Sequence, residues 1–208
     1  MSATLEYERA LLGSECTRII AIDEVGRGAL AGPVTIGAVL IGSHVADPPE
    51  GIDDSKKLTA KRRQEFCKHI SSWVDGLNIA HVDAARIDEV GIMVALGEGA
   101  SAAIDGIGTT NDDTTVVLLD GKFDFLTPVR PGFDVRMVVG GDGRCASIAA
   151  ASIVAKEERD ARMRDLHRLH PYYGWERNVG YGTSEHRDAI KRLGVSAQHR
   201  VSWRLSTG

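Results

Sequence analysis

The sequence predicts an α/β fold built around a mixed β-sheet, and three observations lead to that prediction. The first half holds apolar runs rich in Ile and Val, which are typical of strands. The second half alternates short apolar runs with helical patterns. Aromatic residues make up only 5% of the 208 residues while hydrophobic residues make up 43%, so Ala, Val, Ile and Leu must form the core of a globular domain.

The first half is predicted to contain three strands and one helix. Residues 18–24 form an apolar run that stops at two acids, and residues 34–41 form a second run rich in β-branched side chains. A glycine-rich turn joins these two runs. Thr59 is placed to cap a helix over 60–75, and residues 77–82 read as the third strand.

The second half is predicted to alternate helices, strands and loops. A helical stretch begins at Asp83 and is clearest over 87–104, and a polar loop follows over 105–115. Strands are predicted over 116–119 and 135–139. A helix over 147–169, a loop over 170–183 and a helix over 184–193 complete the chain. We find no repeat and no clear linker, so one domain is expected, ending in a small helical appendage of about 40 residues.

Several classes of protein are excluded by composition and pattern. The net charge of −4 excludes a polybasic binder. Cys16, Cys67 and Cys145 form no CxxC pair, which argues against a zinc ribbon or a disulfide framework and favours a reducing compartment. The acidic first 16 residues do not resemble a signal peptide, and no run of about 18 apolar residues could span a membrane. We expect a soluble, monomeric, cytoplasmic protein with no membrane partner.

Charge is divided unevenly along the chain. Residues 1–153 hold 14 Lys/Arg and 22 Asp/Glu, whereas residues 154–208 hold 11 Lys/Arg and 7 Asp/Glu. The C-terminal part is therefore one basic cluster. A second basic cluster comprises Lys56, Lys57, Lys61, Arg62 and Arg63. On charge alone, these clusters are either solvated helix faces or a phosphate-binding rim around an acidic centre.

Carboxylates follow three of the predicted strands. Asp23 and Glu24 end the first strand, Asp120 ends the strand over 116–119, and Asp142 follows a pair of glycines after the strand over 135–139. Because open α/β sheets bind ligands at strand ends, these acids predict a site for hard cations such as Mg²⁺. Three or four carboxylates suit two such ions.

Other interpretations of these acids remain open at this point. Asp120 and Asp142 each precede a glycine and are also typical of turns. The pair Asp23 and Glu24 lies in an otherwise buried run, where two acids require compensation. Neighbours in a regular strand point to opposite faces, so this pair shares a site only if the strand bends there.

Nearly the whole chain, in the same order from about Arg18 to Trp203, resembles bacterial ribonuclease HII. The matching segments are AIDEVGRGALAGPV, DDSKKLTAKRR, IDEVGIMVA, LLDG, GGDGRCASIAAASIVAKEERD, GYGTSEHRDAIKRLG and HRVSW. The resemblance implies a ribonuclease-H-like five-stranded mixed sheet flanked by helices, with a C-terminal helical extension. It further implies a single domain over 1–208, with a catalytic core of about 18–165 and an extension of about 166–208.

The activity implied by the resemblance is metal-dependent endonucleolytic hydrolysis of RNA in RNA–DNA hybrids. It includes incision on the 5′ side of single ribonucleotides embedded in duplex DNA, leaving 5′-phosphate and 3′-hydroxyl ends. The implied cofactor is Mg²⁺ or Mn²⁺, with two ions per site when substrate is bound. The resemblance implies four catalytic metal ligands: Asp23, Glu24, Asp120 and Asp142. It assigns Asp160 to a helix surface instead.

The resemblance also implies a set of substrate-binding residues, namely Gly26, Arg27, Gly28, Tyr181, Lys56 and Lys57. The backbone of the Gly-Arg-Gly segment is expected to approach the ribose 2′-hydroxyl, which distinguishes RNA from DNA. Tyr181 would pack on the sugar at the RNA–DNA junction, and the two lysines would contact phosphates or hold the acids. Further hydroxyl contacts would come from Ser55 and Ser152.

The chain departs from the family pattern at two positions, and two other functions stay open. Gly140 and Val179 stand where the family often has Lys, which removes potential phosphate contacts. One alternative is a two-metal phosphodiesterase on small nucleotides. The other is a non-catalytic nucleotide-binding module using GRGALAG as a phosphate cradle, but that run matches neither common phosphate-loop pattern.

Overall fold

A computed structural model describes residues 2–109 and 114–205 and shows a five-stranded mixed sheet. The strands are β1 (Arg18–Val25), β2 (Val34–Gly42), β3 (Gly76–Val82), β4 (Thr115–Asp120) and β5 (Asp134–Val138). Their order across the sheet is β3-β2-β1-β4-β5. β2 is antiparallel to both β1 and β3, whereas β4 is parallel to both β1 and β5. The predicted mixed sheet is therefore confirmed.

Helices cover both faces of this sheet. They are α1 (Glu6–Ser14), α2 (Ala60–Trp73), α3 (Ala84–Val90), α4 (Ile92–Ile107), α5 (Ala146–Leu169), α6 (Trp175–Asn178) and α7 (Ser184–Leu193). Thr59 caps α2 as predicted, because its hydroxyl accepts a hydrogen bond from the Arg62 backbone N–H at 3.3 Å. None of the helices in residues 2–109 and 114–205 is long and apolar enough to cross a membrane.

Three predicted segments differ from the structure. The helical stretch from Asp83 is divided into α3 and α4, because Gly91 with a φ of 78° ends one helix and begins the next. The predicted loop over 170–183 contains a 3-10 turn and the short helix α6. The polar loop begins later than predicted, since α4 continues to Ile107, and its residues 110–113 lie outside the described part.

The first helix, α1, was not predicted because its apolar positions are few. Among its nine residues only Glu8 and Leu11 are buried, so its sequence carries little helical periodicity. Contacts far along the chain hold it in place instead. The Glu8 carboxylate accepts hydrogen bonds from the Ser147 backbone N–H at 2.9 Å and the Ser147 hydroxyl at 2.7 Å, at the start of α5. α1 is therefore docked on the N-terminus of α5, whose hydrogen bonds only partly offset the burial that raises the pKa of Glu8.

The two faces of β1 belong to two separate apolar clusters. Ile19 and Ala21 pack with α2 and α5 on one face, and Ile20 and Ile22 pack with α4 on the other. α5 approaches the sheet closely because β2 has Gly37 at the contact, where a Cβ would lie 2.4 Å from the Ala151 carbonyl oxygen. This close approach places the middle of α5 beside the end of β1.

The C-terminal part of the chain forms a third apolar cluster with the loop between β1 and β2. Its members are Leu30, Ala31, Met163, Leu166, Tyr173, Trp175, Ala189 and Ile190. Backbone hydrogen bonds join the same segments. Leu30 N–H donates to the Gly180 carbonyl at 2.8 Å, and Gly32 N–H donates to the Gln198 carbonyl at 2.8 Å. The extension is thus packed directly against the loop that follows the first two acids.

Candidate active site

All four predicted acids lie at one edge of the sheet. Asp23 and Glu24 are near the end of β1, Asp120 is the last residue of β4, and Asp142 lies in a 3-10 turn after β5. These three strands are parallel, so their carboxyl ends meet at the same edge. The charge of Asp120 acts on each of the other three carboxyls, which places the group within electrostatic reach of one another.

Burial disfavours the charged form of three of these acids, Asp23, Glu24 and Asp142. Burial raises the pKa of Asp23 well above its usual range, and the charge of Glu24 raises it further. Burial also raises the pKa of Glu24, although nearby Arg27 opposes the shift. The pKa of Asp142 is raised by burial and then by Asp120. The site therefore holds more negative charge than its neighbours compensate, which is the electrostatic condition for binding a cation.

The pairing of β1 with β2 continues through the Asp23–Glu24 pair without a bulge. Strand β1 stays in regular antiparallel register with β2 through the Val25–Thr35 pair. On its other side, the pairing of β1 with β4 stops at the Ile22–Leu119 pair. The end of β1 is therefore unpaired on that side, so side chains from both faces of the strand have room beside Asp120 at the end of β4.

Each carboxylate has a different hydrogen-bond partner. Asp23 accepts from the Glu24 backbone N–H at 2.8 Å, and Asp120 accepts from the Gly141 N–H at 2.7 Å. The Arg27 guanidinium donates to Glu24 at 3.4 Å. The Lys56 ammonium donates to Asp142 at 3.2 Å. Across residues 2–109 and 114–205, no three acidic, His or Cys side chains are gathered into a ready-made metal site.

The donor set nevertheless fits a hard divalent cation. All four side chains offer carboxylate oxygens, which Mg²⁺ and Mn²⁺ prefer. Asp23 and Asp142 are buried, at 4% and 8% exposed, so their charge is poorly solvated. Cation binding would compete with Arg27 for Glu24 and with Lys56 for Asp142, because those are the two carboxylates now paired with side-chain cations.

A cavity of about 410 Å³ opens beside the acids. It is lined by Glu24, Val25, Gly26, Arg27, Gly28, Ser55, Lys56, Ser152, Lys156 and Tyr181. Five of the six predicted substrate-binding residues are thus brought together on one wall, along with both predicted hydroxyl residues. Lys57 is the exception, since its ammonium binds Asp53 at 2.8 Å and does not line the cavity.

Lys156 is a cavity residue that the sequence reasoning missed. It lies four residues after Ser152 on α5, so both side chains fall on the same helix face, and that spacing is a signal readable from the sequence. Its ammonium binds Asp160 at 2.7 Å. The assignment of Asp160 to a helix surface was wrong. This residue is only 7% exposed and also pairs with Arg63 at 3.6 Å, because α2 packs against α5 there.

The Gly-Arg-Gly segment forms the cavity wall nearest to Glu24. Gly26 has a φ of 86°, and a Cβ there would lie 1.9 Å from Nε of the buried Arg159 side chain. Gly28 differs, because a Cβ there would meet nothing within 4 Å. The Arg27 guanidinium lies 6.0 Å from the Phe123 ring centroid and 3.3 Å from the Met93 sulfur. Only the first glycine is thus required by packing, whereas the second leaves space in the cavity.

Comparisons with known proteins place the chain in a family. The family model for ribonuclease HII matches residues 20–206. The chain is 43% identical over 198 residues to ribonuclease HII of Cereibacter sphaeroides (strain KD131), covering 95% of this chain and 89% of the relative. It is 39% identical over 201 residues to ribonuclease HII of Streptomyces avermitilis, covering 96% of this chain and 83% of the relative.

Solved structures support the fold. The ribonuclease H2 of Pyrococcus horikoshii has a TM-score of 0.70 at 22% identity, covering 91% of this chain and 95% of the other. The Bst-RNase HIII structure in complex with Mn²⁺ has a TM-score of 0.67 at 17% identity, covering 94% and 70%. Both have the ribonuclease-H-like arrangement, so the expected fold is confirmed. Taken with the family match and the relatives, the chain belongs to the ribonuclease HII family and is an endonucleolytic hydrolase of the ribonuclease H type.

Proposed function

We propose that the protein hydrolyses the RNA strand of RNA–DNA hybrids and incises 5′ of single ribonucleotides embedded in duplex DNA. The products would carry 5′-phosphate and 3′-hydroxyl ends. The observation that carries the proposal is the position of the four acids beside a cavity whose wall is the Gly-Arg-Gly backbone. One site then combines groups for phosphodiester hydrolysis with a backbone surface for a ribose. The non-catalytic alternative is set aside because the family consists of hydrolases.

Asp23, Glu24, Asp120 and Asp142 would hold Mg²⁺ or Mn²⁺, with two ions present when substrate is bound. Bound ions of this kind activate water and stabilise the leaving oxygen in phosphodiester hydrolysis. Ser152 on α5 supports the ligand set, since its hydroxyl opposes the rise in the pKa of Asp23. The Gly141 N–H holds Asp120 at 2.7 Å. These contacts keep two of the acids in place at the strand ends.

The glycine backbone and Tyr181 would recognise the ribonucleotide. Gly28 leaves open space in front of its backbone, so a ribose 2′-hydroxyl can approach the peptide groups of this segment. Tyr181 lines the same cavity and is 38% exposed, which leaves part of its ring available to pack on a sugar. A deoxyribose lacks the hydroxyl and would leave those peptide groups without a partner.

The cationic residues of the cavity would bind the phosphate backbone. Arg27, Lys56 and Lys156 line the cavity. The Ser55 hydroxyl is hydrogen-bonded to the Ser152 hydroxyl at 2.9 Å, which places two further polar groups on this wall. Contacts of this kind orient a duplex without reading its bases, so sequence preference should be slight. These cations, together with the family match over nearly the whole chain, argue against the alternative substrate, a small nucleotide.

The decisive experiment uses a DNA duplex containing one ribonucleotide. With Mg²⁺ or Mn²⁺ we expect incision on the 5′ side of the ribonucleotide, none with chelator, and an intact all-DNA duplex. Asp120→Asn should lose several orders of magnitude in rate, because a ligand oxygen and its charge are removed. Asp105→Asn is the matched control, since Asp105 is an exposed acid on α4 paired with Arg130. Parental cleavage by Asp120→Asn would refute the metal assignment.

A further inference from the structure

Two fully buried guanidinium groups lie behind the cavity wall. They belong to Arg159 on α5 and to Arg200, which follows α7, and both are 0% exposed. Within the described residues, no carboxylate forms an ion pair with either guanidinium, although the charge of Asp160 acts on Arg159 and that of Asp88 acts on Arg200. Burial lowers the pKa of Arg200 to about 9, and the charge of Arg159 adds to that shift. Burying a cation without a counter-ion costs free energy unless polar groups of the protein solvate it. The hydrogen-bond partners of these two guanidinium groups therefore indicate their role.

Arg200 binds the backbone of the glycine loop. Its Nη2 donates to the Gly26 carbonyl at 2.7 Å, and its Nη1 donates to the Arg27 carbonyl at 2.8 Å. The Gly32 carbonyl accepts from Nη2 at 3.1 Å and from Nε at 3.3 Å. The Arg200 backbone N–H also donates to the Leu30 carbonyl at 2.9 Å. The planar fork of one guanidinium thus holds three carbonyls, which a lysine ammonium would not reproduce.

Arg159 holds the far end of the same loop and joins it to the Tyr181 turn. It donates to the Pro33 carbonyl at 2.9 Å, to the Ala31 carbonyl at 3.3 Å and to the Val179 carbonyl at 2.8 Å. Val179 has a φ of 41°, a left-handed conformation that β-branched residues rarely adopt. The guanidinium also lies 5.7 Å from the Tyr181 ring centroid. The two arginines therefore brace both parts of the proposed ribose-binding wall.

The carbonyl contacts fix the direction of the peptide N–H groups. In a trans peptide the carbonyl and the following N–H point in opposite directions, and the described residues contain no cis peptide. Since the Gly26 and Arg27 carbonyls are turned towards Arg200, the N–H groups of Arg27 and Gly28 are turned away from it. Gly26, Arg27 and Gly28 form the cavity wall, so these two donors are set on the cavity side.

We propose that Arg200 is a positioning residue for ribonucleotide recognition: it holds the glycine loop so that the Arg27 and Gly28 N–H groups face the ribose. The inference rests on the proposed function and adds a residue distant from the reacting atoms. Arg200 itself contacts no substrate. Its loss would let the loop carbonyls turn towards water, and the two donors would move with them.

The test compares Arg200→Met and Arg200→Lys with the parent on the single-ribonucleotide duplex. We expect kcat/KM to fall about 100-fold in both variants, because small displacements of positioning groups have effects of that size. Binding to an all-DNA duplex, measured with Ca²⁺ or without metal, should stay at the parental Kd, since it depends on the phosphate contacts. Lysine should not rescue the rate, because it supplies charge without the fork.

Ile104→Ala is the control for lost stability alone. Ile104 belongs to α4 and is buried in the apolar cluster on the face of the sheet opposite to α5, so this variant should melt earlier and yet keep the parental kcat/KM below its melting temperature. Parental kcat/KM in folded Arg200→Met would overturn the proposal, as would an equal loss of DNA binding. Global unfolding of both Arg200 variants would assign Arg200 to stability and also overturn it. The parent's metal-dependent incision tests the proposed function separately.

Discussion

Two kinds of buried charge lie on either side of one cavity. On one side, Asp23 and Asp142 are buried with raised pKa values, and the acids repel one another. On the other side, Arg159 and Arg200 are buried with lowered pKa values, but backbone carbonyls surround them. The difference teaches that burial alone does not identify a binding site. Under the proposed function the acidic side would gain a cation, whereas the arginine side already has its hydrogen-bond partners in the loop.

The largest expected effect is a difference between variants of Gly26 and Gly28, the two glycines of the loop, in stability and in cleavage. Gly26→Ala should lower the free energy of unfolding by about 3 kcal/mol, because it adds a left-handed alanine and a clash with buried Arg159. Gly28→Val should leave stability close to the parent, since its side chain enters open space, but should cripple cleavage by filling the cavity. Urea denaturation and the single-ribonucleotide assay measure the two effects. Equal unfolding midpoints for the two variants would contradict this assignment.

The buried pair His186 and His199 predicts that the stability of the fold depends on pH. His186 donates from Nδ1 to the Tyr181 carbonyl at 2.9 Å and accepts at Nε2 from Trp175 at 3.0 Å. His199 accepts at Nδ1 from the Ser196 N–H at 2.9 Å, so its Nε2 carries the proton that faces His186 at 3.2 Å. Each acceptor nitrogen is in use, and protonation of either ring would therefore break this network.

Burial lowers the pKa of His199 to about 4, and the neighbouring His186 contributes. The unfolded state takes up this proton near pH 6.5 while the folded state does not, so stability is full above that pH and falls as the pH drops towards 4. Between pH 7 and 4.5 we expect a loss of about 2–3 kcal/mol from this residue. Thermal melts of the parent and His199→Asn should show a smaller acid-induced loss in the variant. Parallel pH profiles would refute the prediction.

The smallest expected effect is a gain in stability, and it comes from replacing one of the buried acids. Asp23→Asn should raise the free energy of unfolding by about 1 kcal/mol at pH 7 without divalent cations, because it removes an uncompensated buried charge. Activity should be lost in the same variant. Mg²⁺ should raise the melting temperature of the parent more than that of the variant. A less stable Asp23→Asn protein would show that the carboxylate is compensated after all.

The acids and the sheet were predictable because both leave local signals. An apolar run that stops at Asp23 and Glu24 shows where a buried strand meets a polar site. Strand and helix bounds follow from periodicities of two and 3.6 residues. The division at Gly91 was missed because a helical pattern continues across it, and only the backbone conformation separates α3 from α4.

The arginines were not predictable as structural groups. In the sequence, Arg159 and Arg200 count among the positive charges of the C-terminal part, for which a phosphate-binding rim is one of two interpretations. Both are buried and bind carbonyls, so they add nothing to such a rim. Their partners in the loop between β1 and β2 lie more than a hundred residues away, and no local pattern encodes a contact of that range.

The separation between Arg200 and Gly26 has a consequence for biogenesis. Arg200 and Gly26 are 174 positions apart, so Arg200 can bind the Gly26 carbonyl only after the C-terminal part of the chain has been made. During synthesis the strands that carry all four acids leave the ribosome before the last residues do, since domains are made from the N-terminus. A chain that has not been finished can therefore assemble its acidic edge while its Gly-Arg-Gly loop still lacks the contacts of Arg200. Under the proposed function, truncation near the C-terminus should reduce selectivity for ribonucleotides before it disturbs the acids.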